Sequence, residues 1–261
     1  MSTTDQTPDP RVAGFSDGTT YEEGRPDYPD DAVACLATKL DLRLGTSVLD
    51  LAAGTGKLTR QLAPLGVALT AVEPSESMRA ELTRQVPGVP VLDGSAECIP
   101  LAAEAVDSVV VAQAFHWFDA SKALAEISRV LRPGGGLGLV WNERDETVDW
   151  VHKLSLAMKW PDYQPYAVGM DFRPVLDHSG LFGDVERHQF HFQQILDRRR
   201  LLLRVESTSY ITALPLPERD HLMGPVRELV SKLTEPIHLP YITDLYICRL
   251  AERGETGDPG R

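Results

Sequence analysis

The sequence predicts an α/β fold, in which a doubly wound and mostly parallel sheet carries helices on both faces. Between residues 30 and 145, short apolar runs alternate with segments whose apolar residues recur at helical spacing. One of these runs, residues 108–112, is almost wholly apolar, as is typical of strands buried on both faces of a parallel sheet. Because ligands bind at the carboxyl ends of such strands, we expect the polar turns that follow them to form one site.

The predicted elements of this alternating part follow one another closely. Strands are expected at residues 48–51, 67–72, 91–92, 108–112 and 137–141. Helices are expected at residues 30–40, 57–65, 76–85 and 120–131. The proline and glycine run at residues 132–136 ends the last of these helices.

Beyond residue 146 the alternation loosens, and we expect a helical cap inserted before the last strand. The pattern predicts helices at residues 148–159, 198–210 and 218–233, and strands at residues 185–192 and 242–250. Both faces of the strand at 185–192 mix polar and apolar residues, so its burial is ambiguous. The predicted division is an N-terminal arm or lid at 1–29, an α/β domain at 30–192 and 239–261, and the cap at 193–238.

Composition argues against several classes of partner. The 261 residues carry a formal net charge of −12, and the isoelectric point is about 5.0. An acidic chain lacks the basic surface that nucleic acids and anionic membranes attract, so we expect neither as a partner. No apolar run has the length of a membrane span, and residues 1–10 lack the pattern of a secretion signal. We therefore predict a cytoplasmic protein.

No metal or disulfide chemistry is predicted. Cys35, Cys98 and Cys248 are widely separated and lie in apolar surroundings, so we expect reduced, buried thiols rather than disulfides or zinc ligands. His188 and His191 would point to opposite faces of a strand, which disfavours a shared metal ion.

The turn at residues 52–57 is the first candidate for a ligand site. Gly54 and Gly56 allow unusual backbone φ values and close approach of a ligand. Glu73 ends the next strand, beside this turn, where a carboxylate can accept hydrogen bonds from both hydroxyls of a ribose. Two alternatives stay open. The glycine turn could serve the fold alone, and Glu73 could cap the following helix, although Ser75 suits that role better.

Several segments, taken in order, resemble the class I methyltransferases that use S-adenosylmethionine (SAM). The chain is similar in particular to the type 11 family and its small-molecule branch, which includes trans-aconitate methyltransferase-like proteins. The segments are Tyr21 with Arg25-Pro26 and Tyr28-Pro29, the turn from Asp50 to Gly56, Val72-Glu73-Pro74, Gly94-Ser95-Ala96-Glu97, Phe115-His116-Trp117-Phe118, Leu131-Arg132-Pro133-Gly134-Gly135-Gly136, and Leu239-Pro240-Tyr241. The resemblance implies seven strands with the last antiparallel, the cap between strands six and seven, and SAM as methyl donor.

The resemblance also implies roles for individual residues. The implied cofactor-binding set is Tyr21, Arg25, Asp50, Ala52, Gly54, Gly56, Glu73, Ser95, Ala96 and Gln113. Within it, Asp50 and the glycine backbone would hold the methionine portion of SAM, Glu73 the ribose, and Ser95 the adenine. Two positions depart from the usual pattern. Ala52 stands where many members carry glycine, and Ser95 where many carry aspartate, a stronger hydrogen-bond acceptor for adenine.

Methyl transfer from a sulfonium is an in-line displacement that needs alignment and exclusion of water rather than a metal ion. A carboxylate acceptor would need no base, whereas a phenol, alcohol or ammonium acceptor would, and His116 is the best-placed candidate. The alternative is that His116 is a hydrogen-bonded core residue or shapes the pocket.

The acceptor is expected to be a small molecule in an apolar pocket. Phe115 and Trp117 would bind it from the sheet side and Tyr210 from the cap. The apolar positions grouped with Tyr210 on the cap are Leu202, Val205, Ile211 and Leu214. A homodimer contact is the alternative use of these helices.

Two other functions stay open at this point, a SAM-fold binding protein without methyl transfer and a nucleotide-dependent Rossmann enzyme. The second fits less well, because Thr59 occupies the third glycine position of a dinucleotide fingerprint.

Overall fold

A single sheet organises the molecule. The computed structural model describes residues 24–159 and 171–251. The strands in the described residues are β1 (Ser47–Leu51), β2 (Ala68–Val72), β3 (Val91–Leu92), β4 (Val106–Ala112), β5 (Leu131–Arg144), β6 (Glu186–Leu196) and β7 (Ile237–Arg249). They form one seven-stranded sheet in the order β3-β2-β1-β4-β5-β7-β6.

Strand direction confirms the predicted fold class. Pairs among β1 to β5 are parallel, whereas β7 runs antiparallel to both of its neighbours, β5 and β6. The last strand is therefore the antiparallel one, as the resemblance implied. Because the carboxyl ends of β1 to β5 lie along one edge of the sheet, the turns that follow them meet there.

Helices cover both faces of the sheet. Along the chain they are α1 (Asp30–Lys39), α2 (Lys57–Leu62), α3 (Glu76–Gln85), α4 (Ala120–Val130), α5 (Asp149–Ala157), α6 (Arg173–Ser179), α7 (Arg198–Glu206), α8 (Ser209–Ala213) and α9 (Leu216–Ser231). One apolar core joins Leu139 of β5 to Ile127 of α4 and Leu176 of α6. On the other face, Val140 packs with Leu36 of α1. Because successive side chains of β5 point to opposite faces of the sheet, the strand contributes residues to two separate cores.

Two predicted boundaries were wrong. Residues 132–136, placed by the prediction between the helix and a strand at 137–141, belong to β5, and the register shifts so that Val106 pairs with Leu131 but Ser108 pairs with Gly136. The predicted helix at 198–210 is broken into α7 and α8. At the break the hydroxyl of Ser207 donates to the carbonyl of Arg204, a local bond that competes with helix continuation.

A third core lies between α5, the helices α7 to α9 and the facing ends of β6 and β7. Its fully buried members include Leu154, Leu201, Ile211, Val226 and Leu239. The apolar sides of α7 to α9 are therefore covered within the chain. These three helices lie between β6 and β7 in the sequence, and the division of the chain into arm, domain and cap stays a prediction.

Cysteine burial is a correction to the sequence analysis. All three cysteines are free, but only Cys248 is buried, and Cys98 is exposed. Cys98 lies in the turn after β3, where its neighbour Ile99 turns inward instead. Burial raises the pKa of the Cys248 thiol to about 12. Among residues 24–159 and 171–251, no three His, Cys, Asp or Glu side chains are arranged to hold a metal ion.

Within the same two ranges, every helix is too short or too polar to cross a lipid bilayer.

Candidate functional site

The glycine turn after β1 has the backbone of a ligand loop. Ala52, Gly54 and Gly56 all have positive φ, at 55°, 57° and 85°. A Cβ on Gly56 would lie 2.8 Å from Cγ of Leu82, whereas the space where a Cβ of Gly54 would stand is open. Gly56 is therefore required by packing against α3, and Gly54 leaves its backbone accessible to a ligand. Ala52 adopts the left-handed conformation despite its side chain, so the turn stores backbone strain.

Asp50 lies buried at the end of β1, beneath this turn. Its Oδ2 accepts a hydrogen bond from the hydroxyl of Thr59 at 2.5 Å, and its Oδ1 has no hydrogen-bond partner among the described residues. Burial raises the pKa of Asp50 to about 7, the Thr59 hydrogen bond opposes this shift, and the charge of Glu73 adds to it. A buried carboxylate oxygen without a partner is suited to binding a donor or a positive group of a ligand.

Glu73 links the ends of β1 and β2. The amide of Gly54 donates to its Oε2 and the amide of Ser75 to its Oε1, each at 2.9 Å. Burial raises the pKa of Glu73, and these two hydrogen bonds partly offset the effect. Arg79 of α3 donates to the carbonyl of Glu73 and to Oδ1 of Asp93. The carboxylate is thus fixed in position rather than free to rotate. The N-cap residue of α3 is Ser75.

A cleft runs along the turns after β1 to β4. Its lining includes most of the predicted cofactor-binding residues, namely Ala52, Gly54, Glu73, Ser95, Ala96 and Gln113. Trp117 and Tyr28 also line it. Sequence analysis missed Lys57, Thr55, Leu58 and Met78, which also line the cleft. Met78 and Leu58 carried no signal of their own, because apolar residues at helical spacing are usually core residues.

Gln113 connects this cleft with β5. It has a positive φ of 60°, its amide donates to the carbonyl of Val140, and its Nε2 donates to the carbonyl of Asn142 at 3.0 Å. A strained, doubly anchored residue directly after β4 is typical of a functional site. Its side chain borders both the cleft and the end of β5.

The aromatic segment after β4 forms a 3-10 turn, and its three side chains go to different places. Trp117 lines the cleft. Phe115 is buried in the core and packs edge-to-face with Phe118 and Phe172, so it supports the cleft from behind. His116 contacts the rings of Trp117 and Trp141, and its Nδ1 has no hydrogen-bond partner among the described residues. Burial lowers the pKa of His116 to about 4, with a further contribution from the charge of Arg25.

Residues 24–29 cross the carboxyl edge as a strap. Asp27 accepts from Lys57 and Arg60 of α2, at 3.3 and 2.8 Å, and its carbonyl accepts from Asn142 of β5. Gln61 holds the backbone of Tyr28 at both its amide and its carbonyl. Arg25 lies near His116, as its effect on that pKa shows. Tyr21, also predicted to close over the cofactor, lies outside the described residues.

Tyr210 lies apart from the cleft. Its hydroxyl donates to the carbonyl of Met158 at 2.7 Å, and its ring packs against the core between α5 and the helices α7 to α9. Leu202 and Leu214 pack against the same core. Contact of these residues with an acceptor stays a prediction.

Comparisons with known proteins agree with this architecture. The methyltransferase domain family matches residues 49–139, the part of the chain that forms the cleft. A methyltransferase of Mycobacterium tuberculosis is 41% identical over 233 residues, which are 85% of this chain and 89% of that protein.

Two solved structures share the fold. One is described as a methyltransferase from an antibiotic biosynthesis pathway of Anabaena variabilis, with a TM-score of 0.64, 23% identity, and coverage of 85% of this chain and 98% of that one. The other is phosphoethanolamine N-methyltransferase 2 of Haemonchus contortus in complex with SAM, with a TM-score of 0.54, 17% identity, and coverage of 90% of this chain and 57% of that one. Together with the close relative, the sheet order and the family match, they lead to one conclusion: the chain belongs to the class I SAM-dependent methyltransferases.

Proposed function

We propose that this chain transfers the methyl group of SAM to a small-molecule acceptor. The observation that carries the proposal is the pair of buried carboxylates, Asp50 and Glu73, fixed on either side of an open glycine turn at the carboxyl edge of the sheet. The Haemonchus enzyme, which has this fold, binds SAM, and that likeness supports the same cofactor here.

The residues of the cleft fit the chemical groups of SAM. Oδ1 of Asp50, which has no partner among the described residues, suits the methionine ammonium. Each oxygen of Glu73 accepts one amide hydrogen bond and keeps capacity for a ribose hydroxyl. The open space beside Gly54 admits the cofactor, and Ser95 and Ala96 border the cleft where the adenine would lie. When bound, SAM supplies a sulfonium-activated methyl group.

The protein contributes alignment and exclusion of water. Trp117 and Phe118 give the cleft an apolar wall, and the strap at residues 24–29 covers its edge. Gln113, held at both backbone and side chain, would position the reacting groups between cofactor and acceptor. Such preorganisation is the main catalytic need of an in-line methyl transfer.

The pKa of His116 bears on its predicted role as a base. A pKa of about 4 makes the imidazole neutral at physiological pH and a weak base, whereas general bases work best with a pKa near the operating pH. We infer that His116 accepts a hydrogen bond from the acceptor through Nδ1 and orients it. Base catalysis stays a second hypothesis, favoured only if a bound acid raises this pKa.

The proposal leaves open whether the methylated atom of the acceptor is oxygen, nitrogen or carbon. A SAM-binding protein without methyl transfer and a nucleotide-dependent enzyme remain the competing functions. A homodimer contact through α7 to α9 also stays a prediction, although the apolar sides of these helices already pack within the chain.

Turnover is the test of the proposal. The purified chain is incubated with SAM and a panel of small organic acids, alcohols, phenols and amines, and formation of S-adenosylhomocysteine (SAH) is followed. We expect SAH only in the presence of an acceptor, with a lower rate for His116→Asn at unchanged SAH affinity. Binding of SAH without turnover on any acceptor would support the binding-protein hypothesis, and tighter binding of NAD than of SAH would support the nucleotide-dependent one.

A further inference from the structure

Arg204 of α7 is a buried cation whose charge the described residues do not neutralise. It is 5% exposed. Its Nε donates to the hydroxyl of Tyr241 at 3.0 Å, and its Nη1 has no hydrogen-bond partner among the described residues. A guanidinium carries five N–H donors, and a buried charge without an anionic partner is costly, because burial removes its solvation by water.

A second guanidinium lies beside it. Arg144 is the last residue of β5 and pairs in register with Tyr241 of β7. Its Nη2 donates to the hydroxyl of Ser155 at 3.2 Å. Burial lowers the pKa of Arg144, the charge of Arg204 contributes to the same shift, and Tyr241, Tyr210 and Glu146 oppose it. Two like charges, one buried and one partly buried, are thus held close together in a chain whose net charge is −12.

Another arginine of the same sheet shows the ordinary arrangement. Arg187 of β6 donates to Oδ1 of Asp244 at 2.7 Å, so its charge is matched by a carboxylate of the neighbouring strand. Arg204 has no such ion pair among the described residues, and the only hydrogen-bond partner of its side chain there is the neutral Tyr241. A buried charge without an anionic partner costs stability rather than adding to it, so stability alone does not explain why Arg204 is kept there.

The position of the pair relates it to the cleft. Arg144 lies two residues beyond Asn142 on β5, so both side chains project from the same face with Cα atoms about 7 Å apart. The carbonyl of Asn142 accepts from Gln113, which borders the cleft. On the other side, a Cβ on Gly24 of the strap would lie 3.2 Å from Cα of Arg204. The pair therefore lies between the cleft, the strap and the helices α7 to α9.

We propose that Arg204 and Arg144 bind an anionic group of the methyl acceptor, so that the acceptor is a small organic anion bearing a carboxylate or a phosphate. The inference rests on the proposed function and specifies its substrate class. The planar guanidinium fork matches the geometry of both anions, and an anion between the two arginines would neutralise charges that otherwise repel each other.

Anion binding is tested directly in the presence of saturating SAH. Thermal unfolding of the full chain is measured with acetate, succinate, citrate and inorganic phosphate at constant ionic strength, and with the uncharged succinamide. A ligand that binds the folded state raises the melting temperature with its concentration, and the dependence gives its dissociation constant. We expect at least one anion to bind, and succinamide not to bind.

The variants Arg204→Met and Arg199→Met separate specific binding from general effects of charge. Arg199 is an exposed arginine of the same helix. We expect at least tenfold weaker anion binding in Arg204→Met and unchanged binding in Arg199→Met. Arg204→Lys, which keeps the charge but loses the fork, should lie between them, and it replaces Arg204→Met if circular dichroism shows that the latter is unfolded.

Each outcome decides the proposal. Binding of phosphate alone, or of carboxylates alone, supports it and identifies the anion. Absence of anion binding in the wild type, or equal binding in Arg204→Met, overturns it. SAH affinity is measured on the same samples, because failure to bind SAH would sink the proposed function, whereas SAH binding without anion binding would sink this inference alone.

Discussion

The cofactor edge, formed by the turns after β1 to β4, and the acceptor side, formed by β5 to β7 with α7 to α9, are held together in different ways. At the cofactor edge, the hydrogen bonds of Asp50 and Glu73 join residues two, nine and nineteen apart. On the acceptor side, hydrogen bonds join residues 37, 101 and 170 apart. The first region is assembled from neighbouring segments of the chain, whereas the second brings together segments that lie far apart in the sequence.

The largest expected effect concerns Asp50 at the cofactor edge. Its pKa of about 7 in the folded protein lies above about 3.9, the value expected in the unfolded chain. Between these values the folded state binds the extra proton, so the contribution of Asp50 to stability is greatest below pH 4 and falls as pH rises to 7. Each pKa unit corresponds to about 1.4 kcal/mol, so the loss amounts to about 4 kcal/mol.

Asp50→Asn should remove this loss, because the amide stays neutral and can still accept from Thr59. Urea unfolding at pH 5 and pH 8 measures it, and the exposed Asp184→Asn is the matched control. The variant should be more stable than wild type at pH 8, yet bind SAH less tightly. If the two proteins lose the same stability between pH 5 and pH 8, the account of Asp50 is wrong.

Glu73→Ala should weaken SAH binding by about 1 to 3 kcal/mol, because the ribose hydroxyls lose a charged acceptor. The same change releases the amides of Gly54 and Ser75, so the melting temperature should also fall. Calorimetry compares it with Glu76→Ala, a nearby exposed glutamate of α3. Unchanged SAH affinity in Glu73→Ala would remove the ribose assignment.

Tyr210→Phe tests whether the acceptor side can be destabilised without a change in SAH binding at the cofactor edge. Loss of the hydrogen bond to the carbonyl of Met158 should lower the free energy of unfolding by about 1 kcal/mol, while SAH affinity stays the same. With an acceptor in hand, Tyr210→Ala should alter its KM without changing the molecular mass in solution. A change in mass with unaltered acceptor kinetics would favour a homodimer contact instead.

The smallest expected effect is at Ala52. Its φ of 55° suits glycine better than alanine, but glycine also gains freedom in the unfolded chain. Ala52→Gly should therefore raise stability by less than about 1 kcal/mol. Ala53→Gly is the control, because Ala53 is not among the residues with positive φ and should lose stability instead. Equal effects on the melting temperature at both positions would show that the turn is not strained.

The same contrast explains what could be predicted from the sequence. The fold class and the cofactor edge follow from local patterns. Alternation of strand and helix patterns predicts the strands, and three short motifs, each directly after a strand, place Gly54, Glu73 and Ser95 at one edge of the sheet. Cleft residues such as Met78 could not be predicted, because an apolar residue at helical spacing looks the same whether it faces the core or a ligand.

The acceptor side was less predictable for a physical reason. Arg204 and Arg199 lie in the same helix, α7, yet Arg204 is buried and Arg199 is exposed. Which arginine turns inward depends on how α7 packs against β7, a contact that no local pattern encodes. The break between α7 and α8 was missed similarly, because Ser207 interrupts the helix through the hydrogen bond of its side chain to the carbonyl of Arg204.

Titration calorimetry of the purified chain with SAH, with NAD in parallel, tests the central claim most directly. The account predicts one SAH bound per chain, no measurable binding of NAD, and weaker SAH binding in Glu73→Ala than in Glu76→Ala. A chain that binds NAD but not SAH, or that binds SAH equally well in the two variants, would contradict the assignment of the cofactor edge.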